Sequence, residues 1–349
     1  MSTAMSTQYA GRSGSGNLLV RARHLTAAYA GPDGRDVVAC DDVSLDIAEG
    51  DVLGIAGESG SGKSTLGAIL SLTARPPLYV LSGELEVDGN TQPLVGAAAP
   101  PRQWRGSVVS LLPQGAMNSL SPTLRIRDLV VDVVKAHDPR AKRSDALDRA
   151  RDRLKSLDLP PRALDAYPHQ LSGGMKQRVV TVISTLLNPR LLIADEPTSA
   201  LDVSSQRALI EMLLQMLDQR IMSGVIFITH DIPVLRTVSN RLAIMYAGRV
   251  VEVNDTSEMV TAPRHPYTSA LLNSVLVPEP QLRQRRVIGI PGSPPNLAAP
   301  PPGCRYHPRC AKAMNECSTE EPPQVGTETN YAMCWWAQQH PDESLEVAR

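Results

Sequence analysis

The chain has 349 residues and lacks any apolar run near the roughly 20 residues that a helix needs to cross a bilayer. The run VVTVISTLL at residues 179–187 is ended by Asn188, Pro189 and Arg190. The N-terminal segment also lacks the apolar core of a secretion signal, and its small polar side chains predict a disordered tail over residues 1–17. The sequence therefore predicts a cytoplasmic protein that is either soluble or peripheral to a membrane.

Net charge and cysteine are scarce as well. The 35 Lys and Arg residues nearly balance the 36 Asp and Glu residues, for a net charge of −1, which gives the chain as a whole no electrostatic attraction to nucleic acid. Five cysteines are too few for a disulfide-stapled scaffold of this length. Four of them nevertheless lie close together near the C-terminus: Cys304, Cys310, Cys317 and Cys334.

Short β-rich runs alternate with helical stretches along the chain. VLGIAG (52–57) and SGVIFITH (223–230) are such runs, and the alternation predicts an α/β fold with a parallel sheet. A helix is predicted over residues 141–158, because apolar residues recur there at spacings of three and four and two prolines follow. These apolar residues are Leu147, Ala150, Leu154 and Leu157.

Two changes in pattern divide the chain. Between about residues 98 and 185 helix signals replace strand signals, which predicts a helical subdomain inserted in the sheet domain. Nine prolines between residues 278 and 308 mark an extended segment with no evident core. The predicted domains are therefore a tail at 1–17, a main domain at 18–262 and a C-terminal extension at 263–349.

The stretch GIAGESGSGKST matches G-x-x-x-x-G-K-[ST] between an apolar strand and a helix. Its glycines let backbone N–H groups turn toward a phosphate, and the helix N-terminus adds partial positive charge. Lys63 is suited to neutralise the β and γ oxygens of a nucleoside triphosphate, and Ser64 to bind Mg²⁺. The expected loop comprises Gly57, Glu58, Ser59, Gly60, Ser61, Gly62, Lys63, Ser64 and Thr65.

The segment LLIADEP (191–197) places two acids after four apolar residues. This pattern is typical of a buried strand that delivers carboxylates to the C-terminal edge of a sheet. We expect Asp195 to hold Mg²⁺ through water and Glu196 to orient or deprotonate the attacking water. Downstream of a phosphate loop, the pattern favours catalysis over an ordinary surface turn.

The segment LSGGMKQR (171–178) resembles the signature sequence of ATP-binding cassette (ABC) proteins. Its Ser172, Gly173 and Gly174 can present a hydroxyl and bare N–H groups at a helix N-terminus, which makes a second anion cradle. The resemblance implies a P-loop NTPase fold of the ABC type. It also implies that this cradle closes over the γ-phosphate held by a partner subunit, so that two cassettes must dimerise.

Further motifs resemble the ABC family in the expected order. Gln114 in LLPQGAMNSLSP resembles the glutamine that reaches Mg²⁺ and the attacking water, and Asp202 in SALD lies in the loop that crosses the dimer seam. His230 in ITHD resembles the switch histidine that senses the γ-phosphate, and Tyr29 stands where the family stacks an aromatic ring on adenine. The resemblance thus implies ATP hydrolysis with Mg²⁺, whose protein ligands are Ser64, Gln114 and Asp195.

The segments MNSLSP, EPTSALDVSSQ, MYAGRVVE and HPYTSALLNSV are similar to those of ATP-binding subunits of oligopeptide, dipeptide and nickel importers. The chain departs from many relatives at QGAMNS, where they have Asp-Pro after the glutamine. The departure lies in the loop that the resemblance places against the membrane subunits, so it bears on the fit to those subunits and not on the chemistry of hydrolysis. The resemblance implies two permease subunits, an extracytoplasmic solute-binding protein and a second ATPase subunit, with a paralogue favoured, at the cytoplasmic face of the membrane.

The tail IPGSPPNLAAPPPGCRYHPRCAKAMNEC resembles the C-terminal extension of the same importers. The cysteines follow the spacing C-x5-C-x6-C-x16-C, and four thiolates suit a tetrahedral ion or an iron–sulfur cluster. An extended chain without a core gains order from a metal centre. We rank a [4Fe-4S] cluster first, Zn²⁺ second and reduced, unligated thiols third.

The leading hypothesis is an ATPase subunit that powers the import of peptides, or of nickel or another small solute. A second hypothesis is a soluble ABC ATPase acting on nucleic acid or ribosomes, which predicts paired cassettes, coiled coils or a basic surface, and the sequence has none of these. A third is a non-catalytic scaffold within an importer, which predicts a degraded signature or a missing glutamate. Both motifs are intact.

Overall fold

The computed structural model describes residues 17–31, 34–95, 103–199, 201–274 and 289–347. These ranges do not include residues 1–16 of the predicted tail or residues 278–288 of the proline-rich segment. Within the described ranges, no helix is long and apolar enough to cross a membrane.

The strands and helices of the described residues have the following bounds. The strands are β1 (Leu18–Tyr29), β2 (Val37–Ala48), β3 (Val52–Ala56), β4 (Leu78–Val87), β5 (Asn90–Pro93), β6 (Val109–Leu112), β7 (Leu191–Asp195), β8 (Gly224–Ile228), β9 (Arg241–Tyr246), β10 (Arg249–Asp255), β11 (Gln324–Gly326) and β12 (Tyr331–Met333). The helices are α1 (Lys63–Leu70), α2 (Ile126–His137), α3 (Arg143–Ser156), α4 (Gly173–Ser184), α5 (Val203–Asp218), α6 (Ile232–Val238), α7 (Thr256–Thr261), α8 (Pro266–Asn273) and α9 (Trp335–Gln339).

Strands and helices alternate as the sequence predicts, and the predicted α/β class is confirmed. The run VLGIAG forms β3, SGVIFITH forms β8, and the helix predicted over 141–158 is α3. Every residue of β3, β7 and β8 is buried. Such strands are apolar throughout because both of their faces are covered.

The described residues fall into two compact units. The first unit takes its residues from 1–69, 73–96 and 227–349, and the second from 70–72 and 97–226. The C-terminal extension therefore belongs to the same unit as the predicted phosphate loop.

The first unit contains strands of two sheets. One sheet is antiparallel, in the order β2-β1-β4-β5. The other includes the succession β11-β12-β10-β9-β3, in which β3 and β9 run parallel with Ile55 opposite Ala243. Because β3 is buried between covered faces, the loop that follows it leaves the sheet from a fixed point.

The second unit contains the parallel pair β6 and β7, with Leu112 opposite Ala194, and the helices α2 to α5. In α3 the buried residues are Ala146, Ala150 and Leu154, as expected for apolar residues three and four apart on one helix face. The parallel pairing brings the residues that follow both strands to the same edge.

The extension has a small core beyond the proline-rich segment, and this core was not predicted from the sequence. Strand β12 pairs with β10, with Ala332 opposite Glu252. The apolar residues come from a strand, a helix and the chain end, so no local periodicity reveals them. The buried cluster consists of Ala332, Cys334, Trp336, Ala337 and Leu345.

Two titratable groups, Glu252 and His265, are almost fully buried in the first unit. The Glu252 carboxylate accepts the backbone N–H groups of Arg264 at 2.8 Å and His265 at 3.0 Å, and burial raises its pKa to about 7. The His265 Nδ1 atom accepts the N–H of Tyr267 at 3.0 Å, and burial lowers the pKa of His265 to about 3. The His265 ring is therefore neutral at physiological pH.

The substitution His265→Asn keeps an acceptor for the Tyr267 N–H and removes the titration. Because the folded pKa of His265 lies below its ordinary value of 6.5, its contribution to wild-type stability is lost progressively as the pH falls from that ordinary value, where the unfolded chain takes up the proton, down through the folded pKa. We expect the free energy of unfolding of the variant, relative to wild type, to improve by about 2 kcal/mol from about pH 7 to about pH 5.

Urea unfolding of both proteins at the two pH values measures this difference. The raised pKa of Glu252 favours folding at low pH in both proteins, and in wild type it opposes the effect of His265. Since both proteins keep Glu252, its contribution cancels in the comparison. Parallel pH profiles for the two proteins contradict the assignment of a neutral, buried His265.

Candidate functional site

The predicted phosphate loop connects β3 to α1. Gly57 and Gly62 have φ angles of 153° and 100°, in a region that side chains disfavour. A Cβ atom at Gly57 would lie 2.2 Å from the Met245 carbonyl oxygen, and one at Gly62 would lie 2.2 Å from the Ala39 carbonyl oxygen. Glycine is therefore required at both positions by packing as well as by backbone conformation.

The Lys63 ammonium lies against this loop. Its Nζ donates to the carbonyl oxygens of Gly57 and Glu58 at 2.8 Å each and to Ser61 Oγ at 3.4 Å. Helix α1 begins at Lys63, so its first N–H groups and the positive end of its dipole lie at the same place. The donors present fit a phosphate group.

Two further predicted residues of the first unit lie close to the loop. The Tyr29 hydroxyl is 3.2 Å from Thr65 Oγ1, and the Tyr29 side chain remains partly exposed. His230 follows β8, and the N–H of the preceding Thr229 donates to the Ile55 carbonyl oxygen at 3.3 Å. The first unit thus brings Tyr29 to the loop, and it places His230 directly after a residue that is hydrogen-bonded to β3.

The second unit brings three other predicted residues to one edge. Leu112 of β6 is opposite Ala194 of β7, so Gln114, Asp195 and Glu196 all lie just beyond this pair. Asp195 is buried. Carboxylate and amide oxygens are ligands that Mg²⁺ takes in proteins, and the edge has both.

Glu196 has an uncommon backbone conformation. Its φ of 48° lies in the left-handed region, which costs a residue with a side chain on the order of 1–2 kcal/mol. Ser199 closes the turn that follows, because its N–H and Oγ both donate to the Glu196 carbonyl oxygen at 3.1 and 2.8 Å. Eight other described residues with side chains share a positive φ, so this conformation fixes the turn after β7 without marking Glu196 as catalytic.

The signature residues form the N-terminus of α4. The Ser172 Oγ atom accepts the N–H of Met175 at 3.3 Å and caps the helix. Ser172 and Gly173 are exposed. The glycine pair at this helix entrance thus leaves the first N–H groups of α4 accessible to an outside anion.

Asp202 lies next to the signature within the second unit. Its two carboxylate oxygens accept the N–H and Oγ of Ser205 at 2.9 and 2.8 Å. Hydrogen bonds, first from Ser204 and then from Ser205, hold the pKa of Asp202 well below its usual range. The Ser205 Oγ atom also lies 2.8 Å from where a Cβ of Gly174 would be. Ser205 therefore links Asp202 to the start of α4.

The four cysteines of the extension carry free thiols. Cys304 N donates to the Cys317 carbonyl oxygen at 2.9 Å, and Lys312 N donates to Cys310 Sγ at 3.3 Å. Burial raises the pKa of Cys304 to about 12 and that of Cys310 and Cys334 to about 11, and neighbouring thiols add to each shift. In the described part of the chain, no group of three or more His, Cys, Asp or Glu could hold a metal ion, so the predicted cluster or Zn²⁺ gains no support.

Sequence reasoning missed the groups that hold Glu58. Its N–H donates to the Tyr267 hydroxyl at 2.8 Å. Its carboxylate accepts from Arg309 Nη1 at 2.7 Å and from Nη2 at 3.0 Å. These partners are 209 and 251 residues away along the chain, so no local pattern links them to the loop.

Comparison with protein families matches two parts of the chain. Residues 40–199 match the ABC transporter family. Residues 251–317 match the C-terminal region of oligopeptide/dipeptide transporters. The second match includes Tyr267, Arg309 and three of the four clustered cysteines.

Curated relatives and solved structures agree with these matches. The dipeptide transport ATP-binding protein DppD of Caldanaerobacter subterraneus is 41% identical over 88% of this chain and 94% of its own length. The oligopeptide transport ATP-binding protein OppD of Bacillus subtilis is 38% identical over 88% of this chain and 86% of its own. The dimeric, post-hydrolysis cassette MJ0796 bound to ADP and Pi is similar with a TM-score of 0.59 and 26% identity, over 68% of this chain and 99% of that one.

Proposed function

The chain belongs to the ABC transporter family and is an ATPase that uses ATP and Mg²⁺, and from that premise we propose that it powers the import of dipeptides or oligopeptides through a membrane transporter. The observation that carries this proposal is the match of the extension, and not only of the cassette, to peptide transporters. Nickel or another small solute is the alternative cargo.

For ATP binding we propose that the adenine stacks on Tyr29 and that the phosphates lie in the loop after β3. Lys63 neutralises phosphate charge, and Ser64 and Thr65 lie at the start of α1. Glu58 acts through the shape of the loop, since its own N–H is bonded to Tyr267. The proposed contacts are Tyr29, Gly57, Glu58, Ser59, Gly60, Ser61, Gly62, Lys63, Ser64 and Thr65.

For hydrolysis we propose Glu196 as the residue that orients and deprotonates the attacking water. His230 donates a hydrogen bond to the γ-phosphate. Ser64, Gln114 and Asp195 are the proposed holders of Mg²⁺, which when bound neutralises charge on the phosphate oxygens. The position of Asp195 and Glu196 at the end of β7, at the edge shared with Gln114, supports these roles.

We also propose that Ser172, Gly173, Gly174 and Asp202 contact the ATP of a partner cassette. Their common position around the exposed start of α4 supports this role. A nucleotide then lies between two subunits, and ATP stabilises the closed pair through its higher affinity for that state. The partner cassette is proposed to be a paralogue.

The remaining partners proposed are two permease subunits in the membrane and an extracytoplasmic solute-binding protein, with this chain peripheral at the cytoplasmic face. Co-expression with permease subunits and a solute-binding protein of a peptide importer, followed by reconstitution in vesicles, tests the proposal. Dipeptides or oligopeptides are expected to raise ATP hydrolysis several-fold, with Ni²⁺ as the matched comparison. Stimulation by Ni²⁺ alone contradicts peptide import, and co-purification with ribosomes or nucleic acid in place of permeases contradicts transport.

For the cysteine quartet we propose a [4Fe-4S] cluster, with Zn²⁺ and unligated thiols as the other outcomes. Amide N–H groups lie 3.3 Å from the sulfur of Cys310 and 3.5 Å from that of Cys317, and such bonds tune a cluster where one is bound, but the described residues themselves form no group that could hold a metal ion. Absorption spectra and metal analysis of protein purified without oxygen decide among the three. Zinc at one equivalent, or neither metal, contradicts the cluster.

A further inference from the structure

Glu58 places a carboxylate in a loop whose other groups favour anions. Its side chain is about one-fifth exposed, so an unpaired charge there is poorly screened. Its carbonyl oxygen accepts from Lys63 Nζ at 2.8 Å. An unpaired Glu58 carboxylate therefore opposes phosphate binding by repelling the phosphates.

Arg309 of the extension cancels this charge. Its guanidinium forms a two-pronged pair with the Glu58 carboxylate, at 2.7 and 3.0 Å. The same group donates from Nε to the Pro291 carbonyl oxygen at 2.6 Å and from Nη1 to the Tyr246 hydroxyl at 3.2 Å. Arg309 is 6% exposed at its side chain. It is thus a fixed cation, because its donors are directed to acceptors in a buried setting.

A second extension residue holds the same loop residue. The Tyr267 hydroxyl accepts the Glu58 N–H at 2.8 Å. The Tyr267 ring packs against Tyr246 at a centroid distance of 4.5 Å and against Tyr306 at 5.2 Å. The extension therefore holds Glu58 at both its backbone and its side chain, from a buried aromatic cluster.

We propose that Arg309 is a positioning residue for nucleotide binding, through which the C-terminal extension sets the affinity of the phosphate loop for ATP. Arg309 fixes Glu58 and cancels its charge, which removes the repulsion that an unpaired carboxylate exerts on the phosphates. The inference rests on the proposed role of the loop in ATP binding. The C-terminal extension, which matches a family region separate from the cassette, thereby takes part in nucleotide binding.

The test is equilibrium binding of fluorescent ATP to the full chain with Mg²⁺, with adenosine as the comparison ligand. Arg309→Gln is expected to weaken ATP binding about 10-fold, while adenosine binding stays within about twofold because the lost effect is on the phosphates. The double variant Glu58→Gln with Arg309→Gln removes both charges and is expected to recover most of the affinity for ATP. Arg309→Lys keeps the charge and is expected to bind better than Arg309→Gln.

Arg264→Gln is the matched control, because this extension arginine makes one long side-chain hydrogen bond, of 3.4 Å, to the Pro341 carbonyl oxygen. It is expected to bind ATP as wild type does. The inference is overturned if Arg309→Gln binds ATP like Arg264→Gln, or if the double variant is as weak as Arg309→Gln. Lys63→Ala distinguishes failure of the Arg309 inference from failure of the proposed function. Unchanged ATP binding in that variant overturns the proposed role of the loop in ATP binding.

Discussion

A chain that carries Lys63→Ala is expected to bind ATP about 100-fold more weakly than wild type, or worse. The Lys63 ammonium holds the loop through three acceptors and is the one cation of the proposed phosphate contacts. Hydrogen bonds to charged groups contribute about 1.5–3 kcal/mol each, so the loss of two corresponds to about 100-fold or more. Equilibrium binding of fluorescent ATP to the purified full chain measures this change.

The matched control is Lys155→Ala, which removes an exposed lysine from α3 in the other unit. Its affinity for ATP is expected to equal that of wild type. Near-normal binding by Lys63→Ala contradicts the assignment of the loop as the phosphate site. Equal losses in both variants show instead that the measurement responds to general damage.

A chain that carries Glu196→Gln is expected to keep its affinity for ATP and to lose hydrolysis by about 100-fold to 1,000-fold. The glutamine keeps the size and hydrogen-bonding reach of the side chain but cannot take a proton from water. Positioned general bases contribute about 10²–10⁴ in rate, which sets the expected range. The rate of phosphate release by the assembled transporter and the ATP affinity of the same preparation are the two measurements.

Glu211→Gln is the matched control, because Glu211 lies on the exposed face of α5, where it pairs with Arg207 at 3.0 Å. Its turnover is expected to equal that of wild type. Full turnover in the Glu196→Gln assembly shows that another group is the base. Loss of ATP binding in that variant shows that Glu196 is needed to form the ATP site, and not only to activate water.

The local parts of the site could be predicted from the sequence because neighbouring residues determine their conformation. The glycines at 57 and 62 meet requirements set by their own φ angles and by one neighbouring carbonyl each. Strands β3 and β8 lie where apolar runs predict them. In each case the residues that determine the geometry are adjacent in sequence, or the pattern is periodic.

The rest of the site depends on contacts between distant segments. The pair of Arg309 with Glu58 joins residues 251 positions apart, and PRC in the tail gives no hint of a task at the phosphate loop. The extension core was missed for the same reason, since Ala332, Trp336 and Leu345 meet only when the chain is folded. The left-handed φ of Glu196 likewise could not be predicted from the dipeptide Asp-Glu.

We propose that ATP held by the loop at 57–65 is cleaved only when residues 172–174 of a second cassette cover it. The most direct test compares ATP turnover per subunit for the isolated chain, kept dilute enough to stay monomeric, with turnover in the complete membrane assembly. We predict little turnover by the monomer and a rise of at least about 10-fold on assembly. Equal turnover by the lone monomer and by the assembly contradicts the claim.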